Sequence, residues 1–195
     1  MKTVLQVLEA TEGGTRRHLR DLVGALDPAA FRCVLAVSCR RDPDFQSDLA
    51  AWRARGLEVT ELAMRRGVSP FADLAALTGL VRCVRRVRPD LIHAHSAKAG
   101  ALARAAGALC RVPVVYTPHA FPFLMMEGGP RRRAFYRRVE RLARRGTATV
   151  IAVSREEEAA ALALGYARER VALIPNGVAP CEAGAVIVRD TAALR

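Results

Sequence analysis

At 195 residues, 51% hydrophobic and 5% aromatic, the chain has the composition of a globular domain large enough to bury a full core. It carries no serine-, glutamine- or glycine-rich tract, and no apolar run approaches the roughly 18–20 residues that cross a bilayer. A net charge of +12 with a pI near 10.8 points toward nucleic acid, but Lys2 and Lys98 are the only lysines, and the arginines mostly lack interleaved aromatic stacking platforms, so that reading is disfavoured.

Thr3 to Leu8 is a short apolar run of the kind found in buried parallel strands. It ends in Glu9-Ala10-Thr11-Glu12-Gly13-Gly14, after which Leu19, Leu22, Val23 and Leu26 recur at helical spacing. Strand, paired glycines and helix place bare N–H groups where a phosphate or an anionic transition state can sit. A plain turn with φ > 0 is the alternative, and the dinucleotide fingerprint is absent. Phe31 to Ser38 reads as a second strand, Asp44 to Arg55 as a helix carrying Phe45, Leu49 and Trp52, and Leu57 to Leu62 as a strand near an edge. Pro70 opens a longer helix, expected to bury Leu74, Leu77, Val81 and Val84.

Asp90 to His95 is the next strand, with Ser96 expected to cap a helix from Ala97 to Leu109 whose Ala99, Gly100, Ala103 and Gly107 permit close packing. Pro113 to Thr117 is a strand ending at Pro118-His119. An apolar loop, Phe121 to Met126, leads to an arginine-rich helix from Pro130 to Arg145, with Phe135, Val139 and Leu142 expected to face the core. Ala148 to Val153 is a strand, followed by a capping box in which Ser154 pairs with Glu157, and Val171 to Pro175 is the last clear strand. The five cysteines, Cys33, Cys39, Cys83, Cys110 and Cys181, form no C-x-x-C pair and fit a reducing compartment. The strand that opens the chain leaves no secretory leader in view, and a cytoplasmic protein is expected. This alternation predicts an α/β fold: a Rossmann-like, doubly wound parallel sheet of about seven strands with helices on both faces. Gly13-Gly14, His95, His119, Ser154 and Asn176-Gly177 then converge on one edge of it, where ligands bind in such sheets.

Glu12-Gly13-Gly14, Asp90-Leu91-Ile92-His93-Ala94-His95-Ser96, Tyr116-Thr117-Pro118-His119, Ile151-Ala152-Val153-Ser154 and Ile174-Pro175-Asn176-Gly177-Val178, in that order, resemble the N-terminal domain of a family 4 glycosyltransferase, a retaining enzyme of GT-B architecture. The resemblance implies an acceptor-side domain over residues 1–178. Residues 179–195 would be a linker and the start of a missing C-terminal nucleotide-sugar domain, supplied in cis or in trans, without which the chain is inactive. It implies a nucleotide-sugar donor, a lipid-linked or cell-envelope glycan acceptor, and no metal or other cofactor. A non-catalytic subunit of a split transferase and a basic nucleic-acid-binding domain remain as alternatives.

The resemblance also implies roles. Gly13 and Gly14 would approach the donor phosphate or the reacting hydroxyl. His119 would hydrogen-bond the donor sugar near the reacting carbon. His93 and His95 share a strand face and could ligate metal, but no third ligand is evident in the sequence; packing is expected for His93 and an acceptor contact for His95. Lys98 would meet an anionic acceptor or stand in solvent. Asn176 would form a turn at the domain junction, with ligand contact as a second role. Ser154 reads as a cap rather than a nucleophile, since no G-x-S-x-G elbow surrounds it. The apolar loop beside Arg131, Arg132, Arg133, Arg137 and Arg138 fits docking to an anionic membrane, on the inner face of the plasma membrane; a solvated arginine face is the alternative.

Overall fold

In the computed structural model, residues 1–125 and 129–177 are described. The expected linker over 179–195, Val178, Cys181 and Met126 lie outside them. Strands β1 (Lys2–Leu8), β2 (Phe31–Val37), β3 (Glu58–Glu61), β4 (Leu91–His95), β5 (Val114–Thr117), β6 (Thr149–Ala152) and β7 (Val171–Leu173) form one sheet in the order β3-β2-β1-β4-β5-β6-β7, parallel throughout. The chain starts in the middle, winds out to β3, crosses back to β4 and winds out to β7. The reversal therefore lies between β1 and β4, and a crevice opens beyond the carboxyl ends of these strands. The connecting helices are α1 (Gly13–Ala25), α2 (Phe45–Ala54), α3 (Pro70–Val87), α4 (Ala97–Cys110), the short α5 (Pro122–Met125), α6 (Pro130–Ala143) and α7 (Arg155–Ala163).

Alternation along the strands separates two cores. Leu5, Val7, Val34, Ala36, Ile92, Ala94, Val114 and Tyr116 point to one face, under α3 and α4. Leu8, Leu35 and Val37 point to the other and meet Leu19 and Val23 of α1 and Phe45, Leu49 and Trp52 of α2. The small residues of α4 act as expected. A Cβ on Gly100 would stand 2.3 Å from the Tyr116 ring, and one on Gly107 2.4 Å from Val114, so only glycine lets α4 lie this close to the sheet.

Three expectations about which residues face the core are corrected. In α3 the buried set is Ala76, Leu80, Cys83, Val84 and Val87, while Leu74 is exposed; packing against α4 rotates the helix by part of a turn. In α6 Phe135 and Leu142 are exposed and the buried residue is Glu140, because its partner Arg104 is buried in the facing helix. Phe121 and Phe123, expected in an apolar loop, are core residues stacked at 5.3 Å. Cys33, Cys39, Cys83 and Cys110 are free thiols.

Candidate functional site

The face of β4 that carries His93 and His95 is polar where a doubly covered parallel sheet is ordinarily apolar. Register sets Gln6 of β1 beside His93 and Thr117 of β5 beside His95. All four groups are buried. The His93 and His95 rings pack at 4.1 Å between centroids. His93 Nε2 lies 2.9 Å from Thr117 Oγ1. His95 Nε2 lies 2.9 Å from the amide oxygen of Gln6, and its Nδ1 lies 3.3 Å from His119 Nε2. From α1, His18 brings its ring to 4.6 Å from that of His119 and 5.4 Å from that of His95. The four histidines of the chain thus form one cluster at the carboxyl edge of the central strands.

Burial holds these rings neutral. It lowers His93 and His119 to about 3 and His95 well below the usual imidazole range, with mutual repulsion adding to it. His18 is lowered less, since Asn176 hydrogen-bonds its ring and Asp21 is near. Neutrality and the Gln6 carbonyl together dictate the tautomers. His95 donates from Nε2 to Gln6, so its Nδ1 accepts from His119 Nε2–H. The Nδ1 of His119 is left with its lone pair.

The loops beyond the strands are strained where they meet this cluster. Ser96 has φ 73° and ψ 162°, a region populated almost only by glycine, and His119 and Ala120 have φ 50° and 72°; such residues cluster at functional sites. Glu157 holds the second turn. Buried at the start of α7, it accepts from the backbone N–H of Ala120 and, at 3.1 Å, from that of Val153, while Ser154 Oγ caps the Glu157 N–H at 3.2 Å. The expected capping box is therefore present on the Ser154 side, but its carboxylate reaches across to the loop that presents His119. Buried polar atoms without a protein partner include Glu9 Oε1, Thr11 Oγ1 and Ser96 Oγ, beside the ends of β1 and β4. Desolvation raises the Glu9 carboxyl despite Arg41 beside it.

Gly13 and Gly14 open α1, whose first turn has no side-chain cap and no acidic residue. A Cβ on either glycine would meet nothing within 4 Å, and an uncapped helix start of this kind suits an anion. A groove of about 450 Å³ runs from Gly14 and Arg17 past His18 to Ile174 and Asn176.

The site therefore joins Gly13, Gly14, His95, His119 and Asn176, and leaves Lys98 tied elsewhere. Lys98 Nζ holds both carboxylate oxygens of Asp73 at 2.7 and 2.8 Å, so its charge is already answered by α3. His95, for which an acceptor contact is expected, is fully buried with both nitrogens engaged, and it stands behind His119. Ser96 makes no cap, since its hydroxyl has no partner. His93 packs, as expected. The missing third imidazole is His18, which the sequence reading passed over. Its signal was its place one helical turn after Gly14, on the same side of α1. Gln6, Thr117 and Glu157 gave no comparable signal. Arg131, Arg132, Arg133, Arg137 and Arg138 are exposed on α6, remote in sequence from these residues.

Against known proteins, the profile of the glycosyl transferase 4-like domain matches residues 13–177. The UDP-Gal:alpha-D-GlcNAc-diphosphoundecaprenol alpha-1,3-galactosyltransferase of Escherichia coli is 32% identical over 117 residues, covering 58% of this chain and 30% of that protein. Anabaena HepE, solved with UDP, superposes with a TM-score of 0.68 at 22% identity, over 91% of this chain and 44% of that one. The UDP-GlcNAc 2-epimerase of Neisseria meningitidis, bound to UDP-GlcNAc, gives 0.64 at 13% identity, over 89% and 47%. At these identities the two structures establish the fold alone. The chain spans 30% of the Escherichia coli relative's length and less than half of each of the two solved chains.

Proposed function

We propose, on the premise that this chain belongs to the family of glycosyl transferase 4-like domains, that it forms the acceptor-side half of a retaining glycosyltransferase. The whole enzyme would move a hexose from a nucleotide-sugar to a lipid-linked acceptor of the cell envelope. The observation that carries this reading is the convergence of Gly13, Gly14, His18, His119 and Asn176 on one open edge of the sheet. The Escherichia coli relative, named for a UDP-Gal donor and a diphosphoundecaprenol acceptor, supports the choice of substrates.

The chemistry follows from the geometry. As the donor diphosphate leaves, negative charge grows on its oxygens, and the uncapped N–H groups of Gly13 and Gly14 suit that charge. His119, neutral and oriented by His95 and Gln6, offers its Nδ1 lone pair to a sugar hydroxyl near the reacting carbon. These steps use no metal and no other cofactor. The test is sugar transfer from UDP-hexoses to a polyprenyl-diphosphate glycan by the full translation product of the gene. His119→Ala is expected to lower kcat by about 10²-fold with the melting temperature retained. No transfer with any UDP-hexose, or full activity in the variant, overturns the assignment.

The same reading places the enzyme at the inner face of the plasma membrane. No helix among the described residues is long and apolar enough to cross a bilayer. Instead α6 presents Arg131, Arg132, Arg133, Arg137 and Arg138, with Phe135 and Leu142 exposed on the same helix and Met125 exposed just before it. Each basic residue adds about 1 kcal/mol near an anionic surface. Co-sedimentation with vesicles is expected to rise with phosphatidylglycerol content and to fall when Arg137 and Arg138 become glutamate; binding indifferent to lipid charge excludes this mode.

A further inference from the structure

The histidine cluster has a second property that sugar transfer does not require. His18, His95 and His119 each offer one ring nitrogen, and these three nitrogens lie within 4.8 Å of one another. Two nitrogens bound at about 2.0–2.1 Å to one tetrahedral zinc ion stand about 3.3 Å apart. His95 Nδ1 and His119 Nε2 are 3.3 Å apart. The pair is thus spaced as the edge of a zinc tetrahedron, and His18 closes in from the opposite element, half-buried on α1.

The surroundings match those of a ligating set. A metal-bound imidazole commonly gives its outer N–H to a carbonyl, which holds the ring and raises its basicity. Here the outer nitrogen of His95 meets the Gln6 amide oxygen, and Asn176 hydrogen-bonds His18. Three imidazole nitrogens form the donor set of an open zinc site.

We propose that His18, His95 and His119 bind a single divalent transition ion of borderline softness, with Zn²⁺ as its type. The proton balance is simple. The hydrogen that His119 Nε2 donates to His95 Nδ1 moves to His119 Nδ1, the ring changes tautomer, and both facing nitrogens become ligands with no net proton released. The ion takes no part in transfer. With the ion on Nε2, His119 Nδ1 carries the displaced proton and no longer offers the lone pair that the sugar would use, so a loaded site is a blocked one. Zinc binding is measured without any transfer assay, and it stands if the proposed reaction fails.

The test titrates the complete 195-residue chain with Zn²⁺ against a chromophoric chelator, and with Co²⁺ for its d–d spectrum. One ion per chain and the intense visible bands of a four-coordinate site are expected. His18→Gln and His119→Gln are each expected to weaken binding by at least about 10-fold, in the range seen when groups supporting a metal are removed. Circular dichroism checks that each variant is folded; should His119→Gln unfold, His18→Gln on the half-buried face of α1 decides the question alone. Absence of saturable binding overturns the proposal. So does binding that His18→Gln leaves unchanged, or that vanishes only when the cysteines are alkylated.

Discussion

Taking the chain from pH 7.5 to pH 5 in a chelating buffer is expected to remove on the order of 4 kcal/mol of its stability. His93 and His119 are held at about 3 by burial and by neighbouring imidazoles, against about 6.5 in the unfolded chain. A base whose folded pKa is depressed binds fewer protons folded than unfolded. Its contribution is therefore complete above about pH 6.5 and is lost as the pH falls from there toward about 3. At pH 5 each of the two rings has given up about 2 kcal/mol, and His95, displaced in the same direction, adds to the loss. Glu9 acts the other way, since its raised carboxyl favours the folded state as the pH falls toward that pKa; one carboxyl, countered by Arg41, does not offset three rings. Urea unfolding at the two pH values measures the difference. A change below about 1 kcal/mol would mean that water reaches the cluster and that the tautomer chain from Gln6 to His119 is not fixed. The same chain orients His119, so this result bears on the proposed chemistry as well as on stability.

Glu140→Ala is expected to destabilise the protein by about 3–5 kcal/mol, the usual cost of stranding one member of a buried ion pair. Arg104 and Glu140 are each 3% exposed at the side chain and meet at 2.8 Å. Arg104 also donates to the Gly100 carbonyl at 2.8 Å and lies 4.4 Å over the Tyr116 ring, and Tyr116 donates to Glu140 at 3.3 Å. Removing Glu140 leaves a guanidinium in a dry pocket with one backbone carbonyl and two phenols for company. The double change Arg104→Met with Glu140→Leu is expected to restore most of the loss, because apolar groups of similar volume need no answering charge. Equilibrium urea unfolding of the two variants separates the cases; a single variant within about 1 kcal/mol of the parent would show that solvent already reaches Arg104. The pair also ties α6 to α4, so Glu140→Ala is the change that frees the arginine helix while leaving its exposed face intact.

These residues mark where local reading stops. The succession of strands and helices, the doubly wound parallel sheet, the capping role of Ser154 and the arrival of Gly13-Gly14, His95, His119 and Asn176 at one edge follow from the sequence. They depend on periodicities of 2 and 3.6, on prolines and glycines at element ends, and on a crossover rule that leaves few topologies. The site's working partners do not follow. His18 joins His119 because α1, packed on β1 and β2, turns that ring toward the end of β4 at one particular rotation. Lys98 finds Asp73 on α3, and Arg104 finds Glu140 on α6, because α4 lies between partners distant in sequence. Ser96 makes no cap with its backbone at φ 73° and ψ 162°. Helix rotation and side-chain pairing are decided by jigsaw packing between elements distant in sequence, and periodicity along a single element does not determine them. The sequence by itself determined which elements form and where their ends meet; the tertiary structure alone decided which side chains face each other there.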